Sequence, residues 1–166
     1  MEKFASSQAL DLDLPTCHDR VAAIHRYWRS IRPADGALPG RQHFDPAAIP
    51  QLLPCIRLYD VHRDPCRFRY RLVGTELVRA VGRDLTGQWY GADAPGFETS
   101  KTFGDLVFVA SGGGLSYHRG YPLIVCPHKD HLTSERILLP LARNGADVDM
   151  ILGFSVLHAA TGRRSA

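Results

Sequence analysis

At 166 residues, with 45% hydrophobic and 22% charged side chains, the chain has the size of one globular domain with a short extension, long enough for a core without disulfide staples. These values exclude a disordered or fibrous chain, and a formal net charge of +3 is too weak a field to point to nucleic acid. Cys17, Cys55, Cys66 and Cys126 lie far apart without a C-x-x-C pair and read as reduced packing residues, while no stretch nears the roughly 18 apolar residues of a membrane span.

Residues 1–15 are polar and end at Pro15, which reads as a flexible arm. Met1 to Leu14 lack the basic start, apolar run and cleavage site of a secretory leader, so a cytoplasmic location is expected. Thr16, with Asp19 three residues on, predicts the start of a flanking helix over 16–32. Its Val21, Ile24, Tyr27, Trp28 and Ile31 share one face, with Arg20, Arg26 and Arg29 largely off it. That face either packs on the chain's own sheet or makes a homodimer through Ile24, Tyr27, Trp28 and Ile31.

A main domain is expected over 33–158. Its Pro- and Gly-rich connector 33–46 leads to a short helix, Pro46 to Leu53, capped by Asp45. Cys55 to Val61 then reads as a strand, with Ile56 and Leu58 on one face and Arg57 and Tyr59 on the other. The turn 62–65 returns it as a hairpin into the most strongly patterned stretch of the chain. There Phe68, Tyr70 and Leu72 alternate with Arg67, Arg69 and Arg71, so one sheet face is apolar and the other carries guanidinium groups that belong in water or against carboxylates. Gly74 is expected to end this strand through its backbone freedom, Thr75 to cap the next helix and Gly82 to stop it. After loop 88–96 a helix is predicted from Phe97 to about Ser111, ended by the triple glycine 112–114. Three strands follow, near 115–125, 134–142 and 148–157, with Asn144-Gly145 as a turn signal between the last two, and 159–166 is a polar, basic tail. Five antiparallel strands with helices on one face give an α+β fold.

The series Arg69-Tyr70-Arg71-Leu72-Val73-Gly74-Thr75, a short helix and Gly82-Arg83-Asp84-Leu85-Thr86-Gly87 resembles the signature of PAS domains. The likeness runs from about Trp28 to Leu157, through Leu38 to Pro46 and the late strand Ile137 to Ala142, and is nearest to small single-domain PAS-like proteins of alphaproteobacteria. It implies a PAS-like five-stranded sheet with helices on one face, an N-terminal flanking helix that often pairs with a second copy, and a sensory or adaptor role in bacterial signalling. Arg71, Gly74, Asp84 and Gly87 are its structural motif residues, with Asp84 expected on loop amides and Arg71 on a carboxylate. The sheet and helices would enclose a ligand pocket walled by Phe68, Tyr70, Leu72, Leu77, Phe103, Val107, Leu139 and Phe154. Tyr70 stands out among these because a buried hydroxyl needs a partner. The ligand and any cofactor are not named by the likeness. About nine residues follow the last predicted strand, so the output is expected to be another signalling protein.

Catalysis has no support in motifs. There is no G-x-S-x-G elbow, no H-E-x-x-H and no phosphate-cradling loop, and the triple glycine follows a helix instead of opening one. The alternative is a metal or haem protein, or an enzyme, using His118 and the loop residues Cys126, His128 and His131, whose ligand types suit zinc but whose spacing matches no firm geometry. Arginine supplies 17 of the 20 basic residues, read either as anion recognition or as the codon usage of a GC-rich gene.

Overall fold

The computed structural model describes residues 17–112, 114–120 and 132–159. The expected arm 1–15, the candidate ligands Cys126, His128 and His131, and the expected tail beyond Ala159 lie outside them. Its regular elements are α1 (Asp19–Ser30), β1 (Ile56–His62), β2 (Arg67–Val73), α2 (Thr75–Val81), α3 (Lys101–Ala110), β3 (Ser116–Gly120), β4 (Leu132–Leu141) and β5 (Met150–Ala159). The strands form one antiparallel sheet in the order β2-β1-β5-β4-β3. The fold is α+β and PAS-like.

Both faces of the sheet are covered. α1 lies across one of them, the outer face, because its apolar stripe meets Ile56, Leu58, Ile137, Leu139, Leu141, Leu152 and Phe154 in one buried cluster. Ile24 and Trp28 are fully buried there, Tyr27 and Ile31 pack against the same cluster, and Trp28 Nε1 donates to Pro140 O at 2.9 Å. The four residues considered for a homodimer contact are therefore used inside the chain, since an amphipathic helix beside an uncovered apolar sheet face buries most surface by lying on it. The buried Glu135 carboxylate fixes the start of α1 by accepting from the His18 amide at 2.7 Å and from Tyr117 Oη at 3.1 Å.

Local differences from the sequence pattern have simple causes. The stretch 46–53 forms 3-10 turns at Pro46–Ala48 and Leu53–Cys55, because Pro50 in its middle lacks the N–H that a continuous helix would need and its ring clashes with the preceding turn. The helix predicted from Phe97 begins as a 3-10 turn, and α3 proper starts after Ser100, whose Oγ caps Phe103 N at 3.2 Å. Gly74, not Thr75, occupies the cap position of α2 and has an ordinary φ of −67°. Its reason is space, since a Cβ there would collide with the carbonyls of Leu53 and Pro54.

The glycine-punctuated loop after α2 protects an edge. Asp84 Oδ1 accepts from Thr86 N at 2.9 Å, and Gly87 takes a left-handed φ of 84°. The chain then runs back along β2, with Tyr70 N donating to Gln88 O and Tyr90 N to Phe68 O. These bonds satisfy groups that an edge strand would leave open. On the solvent side of β2, Arg67 lies over the Trp89 ring at 4.2 Å, Arg69 Nε donates to Gly87 O, and Arg71 Nη1 is 3.4 Å from Asp60 Oδ1.

Candidate functional site

The inner face, opposite α1, is where polar groups are buried. Strand register fixes who shares it. Arg57 of β1 is paired with Gly153 of β5, Ser155 with Arg136 of β4, and Arg136 with His118 of β3. Tyr59 follows Arg57 on the same face and stands opposite both Ile151 and Tyr70. α3 covers this surface with Leu106, Val109 and Ala110, which join Tyr59, Phe68, Tyr70, Leu138 and Ile151 in a second buried cluster.

Two guanidinium groups are enclosed there. Arg136 is 2% exposed and is met by α3: its Nη1 donates to Thr102 Oγ1 at 2.9 Å, and its Nη2 pairs with the Asp105 carboxylate. Arg57 is 5% exposed and donates Nη2 to Ser155 Oγ at 2.5 Å, but no carboxylate among the described residues pairs with it. Its stem crosses Gly153, where a Cβ would stand 2.9 Å from Arg57 Cγ and 3.1 Å from Nε. The Nε atoms of both arginines are buried without a hydrogen-bond partner. A buried cation without a counterion costs several kcal/mol, so a fold retaining one has a reason beyond packing.

Electrostatics agrees with close spacing of the two cations. Burial, and then the charge of Arg57, push Arg136 below the ordinary arginine value, while Asp105 pulls the other way. Burial drives the Tyr59 and Tyr70 hydroxyls well above the usual phenol range, so both are neutral donors at physiological pH. The rings of Tyr59 and Tyr70 lie 5.0 Å apart, and Tyr90, Phe97 and Phe103 extend this aromatic patch at centroid distances of 5.2 to 6.3 Å.

Beside Ser155 a cavity of about 180 Å³ opens between β5 and α2, lined by Cys55, Glu76, Leu77, Arg79, Ala80, Ser155 and Leu157. Cys55 Sγ donates to Glu76 Oε2 at 2.8 Å, and Glu76 also pairs with Arg20 of α1 at 3.3 Å. Desolvation, followed by the bond to Glu76, pushes the Cys55 thiol up to about 12, which makes it a packing thiol and not a nucleophile. The same bond is the main influence holding Glu76 below the usual carboxylate value.

The residues read from alternation as pocket walls divide into groups. Phe68, Tyr70, Phe103 and Val107 are brought together on the inner side, and Leu77 lines the cavity. Leu139 and Phe154 instead face α1 on the outer side, because the runs Ile137-Leu138-Leu139 and Ile151-Leu152 are buried on both faces and carry no alternation to orient them. Leu72 is 44% exposed and belongs to neither cluster, because a register shift at Leu58/Tyr59 pairs it with Leu58 of the outer face and breaks its alternation with Phe68 and Tyr70. His118 is buried on the inner face of β3, with β5 and β4 between it and Arg57. Arg57, Arg136 and Ser155 were not singled out by pattern. The signal available for Arg136 was a charged residue directly before an unbroken apolar run, and for Arg57 the single alternation that grouped it with Tyr59.

Residues 16–94 match a family model described as a PAS domain, a span running from the start of α1 through the loop that closes the β2 edge. The sheet that β3, β4 and β5 complete beyond this span gives the chain its PAS-like α+β fold. No curated protein and no solved structure matches the chain. Among the described residues no helix is long and apolar enough to cross a membrane, and no three His, Cys, Asp or Glu side chains are grouped to hold a metal.

Proposed function

We propose that the chain is a non-catalytic cytoplasmic sensor that takes a small molecule at the inner face of its sheet and reports occupancy to a partner protein through α2 and α3. The observation that carries this reading is the buried polar set Arg57, Ser155, Arg136 and Tyr59 next to an open cavity, at the place where a purely structural domain would keep an apolar core. α3 contacts the set directly through Thr102 and Asp105, and α2 forms the cavity wall through Leu77 and Ala80. A ligand in the cavity therefore touches α2 directly and acts on α3 through the charges of Arg57 and Arg136, and it shifts the helices only as far as it binds one arrangement better than another.

Native mass spectrometry of the full chain purified from cells, together with ligand-observed NMR against small acids, bases and neutral compounds, tests the reading. A retained small mass, or a compound whose binding is lost when Leu77→Trp fills the cavity, is the expected result. Absence of both overturns it.

A further inference from the structure

Resting on the sensor reading above, we infer that the ligand is a small monocarboxylate whose anionic end is received by Arg57 and Ser155. The geometry is that of a half-built anion site. Arg57 is a fixed positive charge held at its stem by Gly153 and at its Nη2 by Ser155 Oγ. Because that serine oxygen accepts from the guanidinium, its own hydrogen remains to be donated, and Ser155 lines the cavity. A carboxylate entering from the α2 side meets a hydroxyl donor polarised by the buried cation behind it, a charge-assisted hydrogen bond.

Charge bookkeeping sets the valence. The inner face buries two cations, Arg57 and Arg136, and one nearby anion, Asp105, whose carboxylate is shared by Arg136 and Lys101. Lys101 is 39% exposed and its charge is met by water, so the enclosed groups alone leave one positive charge uncompensated. At the cavity wall the Glu76 carboxylate is engaged by Cys55 and by Arg20 and does not reach Arg57. One buried surplus charge calls for a monoanion at the Ser155 end, while at the opening the Glu76 carboxylate is offset by Arg20 and by Arg79 on the same wall. The remaining lining is Arg79 with Leu77, Ala80 and Leu157, and the three apolar residues suit a short apolar body behind the carboxylate. A cavity of about 180 Å³ limits that body to a few carbons or a single ring.

The test is calorimetric titration of the full chain with butyrate and benzoate, with butyramide and benzamide as neutral isosteres, and with inorganic phosphate. Binding of one or both carboxylates is expected. Arg57→Met and Ser155→Ala should each weaken it by about tenfold or more, as loss of a charge-assisted hydrogen bond requires. Arg57→Met should also melt, without ligand, at or above the wild-type temperature, because an apolar isostere removes an uncompensated charge. An Arg57→Met protein that fails to fold shows the arginine to be structural and overturns the inference, as does carboxylate binding indifferent to Ser155→Ala. If the amides bind as well as the acids, the cavity is a ligand site but the anion assignment is wrong. Preference for phosphate over both carboxylates overturns the monocarboxylate class. If no probe binds while NMR finds a basic or neutral ligand, the sensor reading stands and this inference falls; if nothing binds at all, both fall.

Discussion

Replacing Trp28 separates the two uses open to α1, cover for its own sheet or contact with a second copy. The indole is fully buried against the outer face, and its Nε1 donates to Pro140 O at 2.9 Å. Trp28→Ala removes the largest fully buried side chain and should cost about 3–5 kcal/mol, before counting the carbonyl of Pro140 left without its donor. Trp28→Phe keeps much of the ring volume and loses mainly the hydrogen bond, so its cost should be about 1–3 kcal/mol. Against a total stability of roughly 5–15 kcal/mol, the first substitution removes between about a fifth and all of the total, and the second leaves the domain folded. Urea unfolding followed by far-ultraviolet circular dichroism, at two protein concentrations, measures both. The reasoning is refuted if Trp28→Ala costs less than about 1 kcal/mol, a surface-like value. It is equally refuted if the wild-type midpoint climbs with protein concentration and the variant abolishes that climb, because the helix would then be stabilised by a second chain.

Other perturbations probe the inner face. Gly153→Ala should destabilise by about 1–3 kcal/mol through overpacking against Arg57 and Leu138, and the penalty should shrink in an Arg57→Ala background, which a double-mutant cycle reads directly. Asp105→Asn strands Arg136 as a second uncompensated cation and should cost about 3–5 kcal/mol in chemical unfolding, with Arg136→Met in the same chain recovering most of the loss. Cys55 titrates at about 12 in the fold against an ordinary thiol value of 9.0. Its pKa is raised on folding, so its contribution to stability is fully present below about pH 9 and is lost as pH rises toward 12; Cys55→Ala should flatten this part of a stability-against-pH profile.

How far the chain could be read without coordinates depends on whether an element has one buried face or two. β2 lies at an edge with arginines toward solvent, so Phe68 and Tyr70 alternate with Arg67, Arg69 and Arg71 and their facing is visible in the sequence. β4 and β5 lie inside the sheet under helices on both sides, so Ile137, Leu138 and Leu139 are all fully buried and alternation carries no information about which points where. The order of elements and the α+β class follow from turn signals and motifs that are local. The anion-receiving set does not, because Arg57, Gly153, Ser155 and Arg136 come from three strands and are made neighbours by register alone. Exposed arginines on β2 and enclosed arginines on β1 and β4 look alike in sequence, and only the covering of the inner face by α3 distinguishes them.

The order β2-β1-β5-β4-β3 has a consequence for how this domain comes into being. Its central strand is β5, residues 150 to 159, and β1 cannot be joined to β4 until that strand is inserted. During synthesis the β1–β2 hairpin can close early, yet an isolated hairpin is marginal in water. The hairpin β3–β4 waits beside it with Ile137, Leu139 and Leu141 exposed, and α1 has only part of the surface it needs. Emergence of β5 from the ribosome then closes the sheet, seats Trp28 and gives Arg57 its Ser155 partner in one step. Ribosome-stalled chains that expose residues up to 145 should remain protease-sensitive throughout, and those exposing β5 should become resistant together from α1 to β5.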